Sequence, residues 1–127
     1  MRPQGKAAQS RETAIMLDLQ PILDDLVAFR EERDWRQFHN PKDLAVSISI
    51  EAAELLEAFQ WSGSDTSSMG REDQIREELA DVLIYCLYLA DAAGLDPIDI
   101  MEQKLAVNRA KYPVDASRGN ARKYTEL

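Results

Sequence analysis

One stretch of helical sequence that is apolar on every side constrains the fold most. Between about Arg71 and Ala93, apolar residues recur in steps of four and three, which is the spacing of a seam packed against a neighbouring helix. The seam consists of Ile75, Leu79, Val82, Cys86, Leu89 and Ala93. The remaining sides are made apolar by Leu83, Ile84, Leu87 and Tyr88. Since four helices cannot easily cover one of their number on all sides, we predict that this helix is buried against a second subunit.

The rest of the pattern predicts an all-α fold with about four main helices, a bundle-like subunit that forms a dimer or a dimer of dimers. Asn and Asp before a proline are typical helix starts, and glycine is a typical stop. The other three helices are predicted over about Pro21 to Asp34, Asn40-Pro41 to Phe59, and Asp96-Pro97 to Lys111. We expect a disordered leader over residues 1–11 and a single domain with a basic tail over residues 12–127.

Composition excludes several classes of protein. The 127 residues carry a net charge of −8 and a single cysteine, Cys86, so an internal disulfide is impossible and a protein that coats nucleic acid or a membrane surface is disfavoured. The sequence has no run long enough to span a membrane and no signal-peptide core, so we expect a cytoplasmic protein. The charge is uneven: residues 1–103 hold 21 acids and 9 bases, whereas residues 104–127 hold 2 acids and 6 bases.

Two acidic pairs are candidate metal ligands. Glu51 with Glu54 and Glu78 with Asp81 are each spaced three apart, so each pair shares one helix face beside an apolar stripe. If the two helices pack about 8–10 Å apart, the four carboxylates converge and repel one another unless a cation lies between them. Ligation by oxygen alone favours Mg²⁺, with Mn²⁺ as a substitute. The alternative is that these acids lie at the rim of the bundle, solvated or paired with Arg76.

Aromatic residues near this site suggest a binding site for a nucleobase, because flat rings hold bases by stacking. The candidate rings are Trp35, Phe38 and His39 between the first two helices, Trp61 after the second, and Tyr85 on the third. Arg36 and Gln37 lie within the first of these segments and are candidates for polar contacts to the same ligand. The alternative is that the large rings simply close the ends of the bundle.

The fourth helix carries a polar and basic face. Lys104, Asn108 and Lys111 are spaced four and three apart, which places them on one side of the helix. Basic side chains opposite an acidic metal site suit a triphosphate, since the cation and the bases share its oxygens. The alternative is that this face docks on the acidic body of its own or a neighbouring subunit.

The acid motif resembles a known family signature. Glu51-Ala-Ala-Glu54, followed after 23 residues by Glu78-Leu-Ala-Asp81, is similar to the ExxE…ExxD pattern of the MazG-like all-α nucleotide pyrophosphohydrolases, and most similar to the dCTP pyrophosphatase branch. The supporting strings are Glu32-Arg33-Asp34-Trp35, Gln37-Phe38-His39, Phe59-Gln60-Trp61, Asn108-Arg109, Tyr112-Pro113, Ser117-Arg118-Gly119 and Lys123-Tyr124-Thr125.

The resemblance implies Mg²⁺-dependent cleavage between the α and β phosphates of a nucleoside triphosphate by a tetramer, with dCTP or a modified dCTP as substrate. It assigns the four acids to metal, the residues from Trp35 to His39 with Trp61, Tyr85 and Asn108 to the nucleobase and sugar, and the basic side chains from Lys104 onward to the phosphates. As a mechanism, we expect Glu51 or Glu54 to orient or deprotonate the attacking water. This chain has Leu26 where mammalian members place a histidine, so a polar contact to the nucleotide is missing. The alternatives are dUTP or another non-standard dNTP as substrate, or a non-catalytic helical interaction module.

Overall fold

The computed structural model describes residues 19–127, which fold into five helices and two single 3₁₀ turns without any strand. The helices are α1 (Gln20–Glu32), α2 (Pro41–Glu57), α3 (Glu72–Ala92), α4 (Pro97–Lys111) and the short α5 (Val114–Ser117). The 3₁₀ turns lie at Arg36–Phe38 and Tyr124–Glu126. The predicted all-α class is confirmed, and the four predicted main helices are α1 to α4. The predicted leader over residues 1–11 lies outside the described residues.

Local capping explains why the helix starts follow from the sequence. The Asn40 side chain accepts a hydrogen bond from the backbone N–H of Asp43 at 2.9 Å, and Asp96 accepts one from the N–H of Ile98 at the same distance. At the end of α3, Gly94 takes a left-handed conformation with φ +68°, which a residue with a Cβ rarely adopts. These signals depend only on neighbouring residues, so tertiary packing does not override them.

The helices α2 and α3 pack against each other, and α1 packs more lightly against α3. The side chains of Leu44 on α2 and of Tyr88 and Ala90 on α3 are buried between them. One charged side chain, Arg30 of α1, is also buried in this small core. The helix α4 contacts the other helices only sparsely, so most of its surface is exposed within one chain.

Only part of the predicted seam on α3 is covered within the chain. Its members Leu79 and Cys86 are exposed, as is Leu83 on the same side of the helix, whereas Tyr88 on the opposite side is buried. The reason is geometric: α1 and α2 together cover two sides of α3 and leave a third open. None of the helices in residues 19–127 is both long and apolar enough to cross a bilayer.

Candidate active site

Three glutamates form a compact cluster where α2 faces α3. Glu51 and Glu54 come from α2 and Glu78 from α3, and one carboxylate oxygen of each lies within 4.8 Å of the other two. The spacing of three residues on α2 puts its two acids on the face that packs against α3. The structure therefore brings together three of the four acids that the sequence proposed as metal ligands.

The fourth acid, Asp81, connects this cluster to a neighbouring cleft. It lies one turn after Glu78 on α3 and is exposed at the wall of the cleft. Its negative charge contributes to the raised pKa values of both Glu51 and Glu78, so it is close enough to act on the cluster. Asp81 thus stands between the acids and the space in which a ligand can lie.

The cluster is electrostatically unfavourable when it holds only carboxylates. Burial, then the hydrogen bond to Glu54 and the charge of Glu54, raise the pKa of Glu51 from 4.5 to about 7. Burial and the same neighbour also raise the pKa of Glu78. One oxygen of each, Glu51 Oε2 and Glu78 Oε2, is buried without a hydrogen-bond partner among residues 19–127. Unpaired buried acceptors among repelling acids fit a hard cation, which would satisfy the oxygens and offset the charge.

A cleft of about 370 Å³ lies beside the cluster, between α1, α3 and the turn that follows α1. Its walls are mainly aromatic and apolar, which is typical of a small-molecule site. The lining residues are Asp25, Leu26, Phe29, Trp35, His39, Asp81, Ile84, Tyr85 and Tyr88. They include Trp35, His39 and Tyr85 from the predicted base site, and also Leu26.

The buried side chain of Arg30 supports the aromatic wall of the cleft. The rings of His39 and Tyr88 lie 4.8 Å apart, and the Tyr88 hydroxyl donates a hydrogen bond to the backbone oxygen of Leu26 at 2.7 Å. Behind them, the Arg30 guanidinium lies 5.6 Å from the centre of the Tyr88 ring. Burial first, and then the charge of Arg30, lower the pKa of His39, which favours a neutral imidazole at this wall.

Sequence reasoning missed Tyr88 and Phe29 as cleft residues. It assigned Tyr88 only to the apolar sides of α3, although Tyr88 follows Asp81 by seven residues and Tyr85 by three, which places all three on one face. Phe29 packs edge-to-face against Trp35 with ring centres 5.7 Å apart, and that pairing depends on the turn after α1. The helical register could have identified Tyr88, whereas the register of α1 alone could not have identified Phe29.

Several predicted substrate residues are not brought to the cleft within one chain. Arg36 pairs with Glu31 at 2.6 Å, and the Gln37 side-chain amide donates to the backbone oxygen of Asp34 at 3.0 Å. The side chains of Phe38 and Trp61 are exposed outside its lining, with Trp61 89% exposed.

The basic residues of the fourth helix are also absent from the cleft walls. None of Lys104, Asn108 and Lys111 is among the lining residues, and their helix α4 packs only sparsely on the rest of the chain. Lys111 instead places its ammonium 4.5 Å from the centre of the Tyr124 ring.

Comparisons with known proteins identify the family of the chain. A model of the MazG-like family matches residues 46–127, a range that includes all four acids. The chain is 41% identical to dCTP pyrophosphatase 1 of Mus musculus and 39% identical to that of Homo sapiens, and each match covers 85% of this chain and 69% of the relative. A crystal structure of a pyrophosphatase from Archaeoglobus fulgidus is 46% identical, with a TM-score of 0.70 over 75% of this chain and 92% of that one. The chain belongs to the MazG-like family of nucleotide pyrophosphohydrolases.

Proposed function

We propose that the chain is a Mg²⁺-dependent pyrophosphohydrolase that converts dCTP or a modified dCTP to the monophosphate and pyrophosphate. The observation that carries the proposal is the three-glutamate cluster beside an aromatic cleft. The names of the mammalian relatives, which are dCTP pyrophosphatases, support this choice of substrate. The same chemistry on dUTP or another non-standard dNTP is the alternative, because Leu26 lines the cleft where a polar contact is expected.

The proposed metal ligands are Glu51, Glu54, Glu78 and Asp81. All-oxygen ligation favours Mg²⁺, with Mn²⁺ as a substitute, over zinc. When bound, Mg²⁺ offsets the charge of the phosphate oxygens and makes a neighbouring water more acidic. Glu51 Oε2 and Glu78 Oε2 support this assignment, since both are buried acceptors for which the described part of the chain supplies no donor.

Within this cluster, we propose that one carboxylate of the α2 pair, Glu51 or Glu54, takes the proton of the attacking water. Both belong to the compact group that they form with Glu78. The water would attack the α phosphorus, and the bond from that phosphorus to the bridging oxygen would break as pyrophosphate leaves.

The aromatic cleft is proposed to hold the base. Trp35, His39 and Tyr85 offer ring faces and edges in a space of about 370 Å³, and stacking on such rings is worth about 1–3 kcal/mol for nucleic-acid bases. The roles proposed for Arg36, Gln37, Phe38 and Trp61 in substrate binding rest on the family resemblance.

Self-association is proposed from the surface that one chain leaves uncovered. Large apolar side chains are exposed on both packed helices: Val46 and Ile50 on α2, and Leu79 and Leu83 on α3, with Leu83 55% exposed. Such a surface is typical of a subunit interface, and a dimer or tetramer would cover it.

A second subunit would also supply what the cleft of one chain lacks. The helix α4 carries Lys104, Asn108 and Lys111 away from its own cleft, so we assign these residues to the phosphates bound by a neighbouring subunit. From the acidic composition, we propose that the chain does not bind polymeric nucleic acid or a membrane surface.

The test is a panel of canonical and modified dNTPs with Mg²⁺, with the products separated by chromatography. We expect dCTP or a modified dCTP to give the monophosphate and pyrophosphate, with loss of activity in EDTA and recovery on adding Mg²⁺ or Mn²⁺. Release of orthophosphate, or a different best substrate, contradicts the assigned reaction or the assigned base. A non-catalytic helical module predicts neither turnover nor binding of a non-hydrolysable dNTP with Mg²⁺ in calorimetry.

A further inference from the structure

Two carboxylates line the cleft, and they have different surroundings. Asp81 comes from α3, and its charge acts on the glutamate cluster. Asp25 comes from α1, one turn before Phe29, and it lines the cleft together with Leu26 and Phe29 of the same helix. The first carboxylate therefore belongs to the acidic end of the cleft, whereas the second faces space that is bounded by aromatic and apolar walls.

Asp25 has no partner among residues 19–127. Neither a hydrogen bond nor a salt bridge within that range involves its side chain. The preceding residue, Asp24, has a partner, because it accepts a hydrogen bond from the Gln20 amide at 2.8 Å. It also lines a separate hollow, together with Leu23. The two adjacent aspartates thus lie on different sides of α1, and only Asp25 is presented to the cleft.

A carboxylate at the edge of an aromatic slot distinguishes between bases. An ionised carboxylate only accepts hydrogen bonds, so it binds an exocyclic amino group and repels a carbonyl oxygen in the same place. Cytosine carries an amino group at the position where uracil carries a carbonyl, while the two rings stack equally well on Trp35 and Tyr85. Stacking in this cleft therefore holds either pyrimidine, and a polar group at the ring edge must make the distinction.

We propose that Asp25 is a specificity-determining residue that accepts a hydrogen bond from the exocyclic amino group of the substrate base and so selects cytosine over uracil. This rests on the proposed function of the cleft as the base site. It also explains how the chain recognises the base although the neighbouring cleft residue, Leu26, is apolar and offers no hydrogen bond.

The test compares Asp25→Asn with Asp24→Asn as a matched control on the same helix. An asparagine keeps the size of the side chain but adds an N–H donor that suits the uracil carbonyl. We expect Asp25→Asn to lower the ratio of kcat/KM for dCTP to kcat/KM for dUTP by at least about tenfold, since the variant loses the charged acceptor for the cytosine amino group and gains a donor for the uracil carbonyl. Most of the change should be a higher KM for dCTP, and Asp24→Asn should leave the ratio unaltered.

A second measurement separates this inference from the proposed reaction. Binding of dCMP and dUMP, followed by calorimetry without turnover, should show the same weakening of the preference for cytosine in Asp25→Asn and none in Asp24→Asn. An equal loss for both bases would place Asp25 at the phosphates or in the metal site and overturn the inference, as would no change at all. If the wild-type protein distinguishes dCMP from dUMP and Asp25→Asn does not, but neither hydrolyses any dNTP, the proposed reaction is overturned and the role of Asp25 is supported.

Discussion

Arg30 and Asp91 form an asymmetric ion pair at the back of the cleft. The Arg30 Nη2 atom lies 2.9 Å from Asp91 Oδ2, and the arginine side chain is 1% exposed whereas that of the aspartate is 40% exposed. The pair joins α1 to the end of α3 across 61 residues of sequence. Because Arg30 also lies behind the Tyr88 ring, this contact supports the wall on which the base is proposed to bind.

Loss of Asp91 should lower the free energy of unfolding more than loss of Arg30. Asp91→Ala leaves a buried guanidinium with only a weaker contact to Glu31 at 3.4 Å, and we expect it to lower the free energy of unfolding by about 2–3 kcal/mol. Arg30→Met leaves a half-exposed carboxylate that water can solvate, so its cost should be smaller, about 1 kcal/mol. Urea unfolding of both variants checks this, and a larger loss in Arg30→Met would contradict it.

The charge of Arg30 should be visible at His39. His39 is the sole histidine of the chain, so its imidazole can be followed without ambiguity in a two-dimensional NMR titration. Burial and then the Arg30 charge lower its pKa from 6.5. We expect Arg30→Met to raise the pKa of His39 and the control Arg36→Met to leave it unchanged, because Arg36 is exposed and paired with Glu31. An unchanged pKa in Arg30→Met would show that burial alone sets it.

Each proposed metal ligand should be needed for turnover. We expect Glu54→Gln and Asp81→Asn to lower kcat at least ~100-fold. Loss of a metal ligand should reduce activity more than the 10–100-fold that is typical when a residue hydrogen-bonded to a ligand is lost. The control is Glu57→Gln, since Glu57 is exposed one turn beyond Glu54 on α2 and lies outside the cluster. Circular dichroism should show unchanged helix content in all three variants. Full activity in Asp81→Asn would limit the metal site to the three glutamates.

Without divalent cations, the cluster should make stability fall as pH rises. The pKa of Glu51 is about 7 in the folded chain against 4.5 for the free group, so between these values the folded state binds more protons than the unfolded state. The free energy of unfolding then decreases with increasing pH over that window and levels off above it. Thermal melts from pH 4.5 to 8 in EDTA should show this decline, with a weaker decline in Glu51→Gln. Added Mg²⁺ should stabilise the protein most at the upper end of this pH range, where the acids of the cluster are ionised.

The sequence was sufficient for features that depend on near neighbours. The starts of α2 and α4 follow from Asn40 and Asp96 as caps, each before a proline, and these contacts reach only two or three residues along the chain. The two acids on α2 follow from helical spacing in the same way. Their meeting with Glu78 was predictable because both helices carry an apolar stripe beside their acids.

The contacts that close the wall of the cleft could not be predicted in this way, because they join distant residues. The helical register groups Tyr88 with Asp81 and Tyr85, but no local pattern shows that the Tyr88 hydroxyl reaches the backbone of Leu26, 62 residues away. For the same reason an apolar pattern could not show that Leu83 is left open while Tyr88 is covered. A helix that is apolar all round specifies burial but not which partner covers each side.

Sharing of the site between subunits should be demonstrable by mixing two inactive proteins. One variant is Glu54→Gln, and the other replaces both Lys104 and Lys111 with Met. If the acids of one subunit act with the α4 lysines of another, a mixed dimer contains one site in which both parts are intact. Random pairing after co-expression should then restore about a quarter of the wild-type sites. If each chain completes its own site, every mixed dimer remains inactive, and the assignment of α4 to a neighbouring subunit is wrong. A Leu83→Glu subunit, which places a charge on the exposed side of α3, should be monomeric in sedimentation and should abolish the recovery.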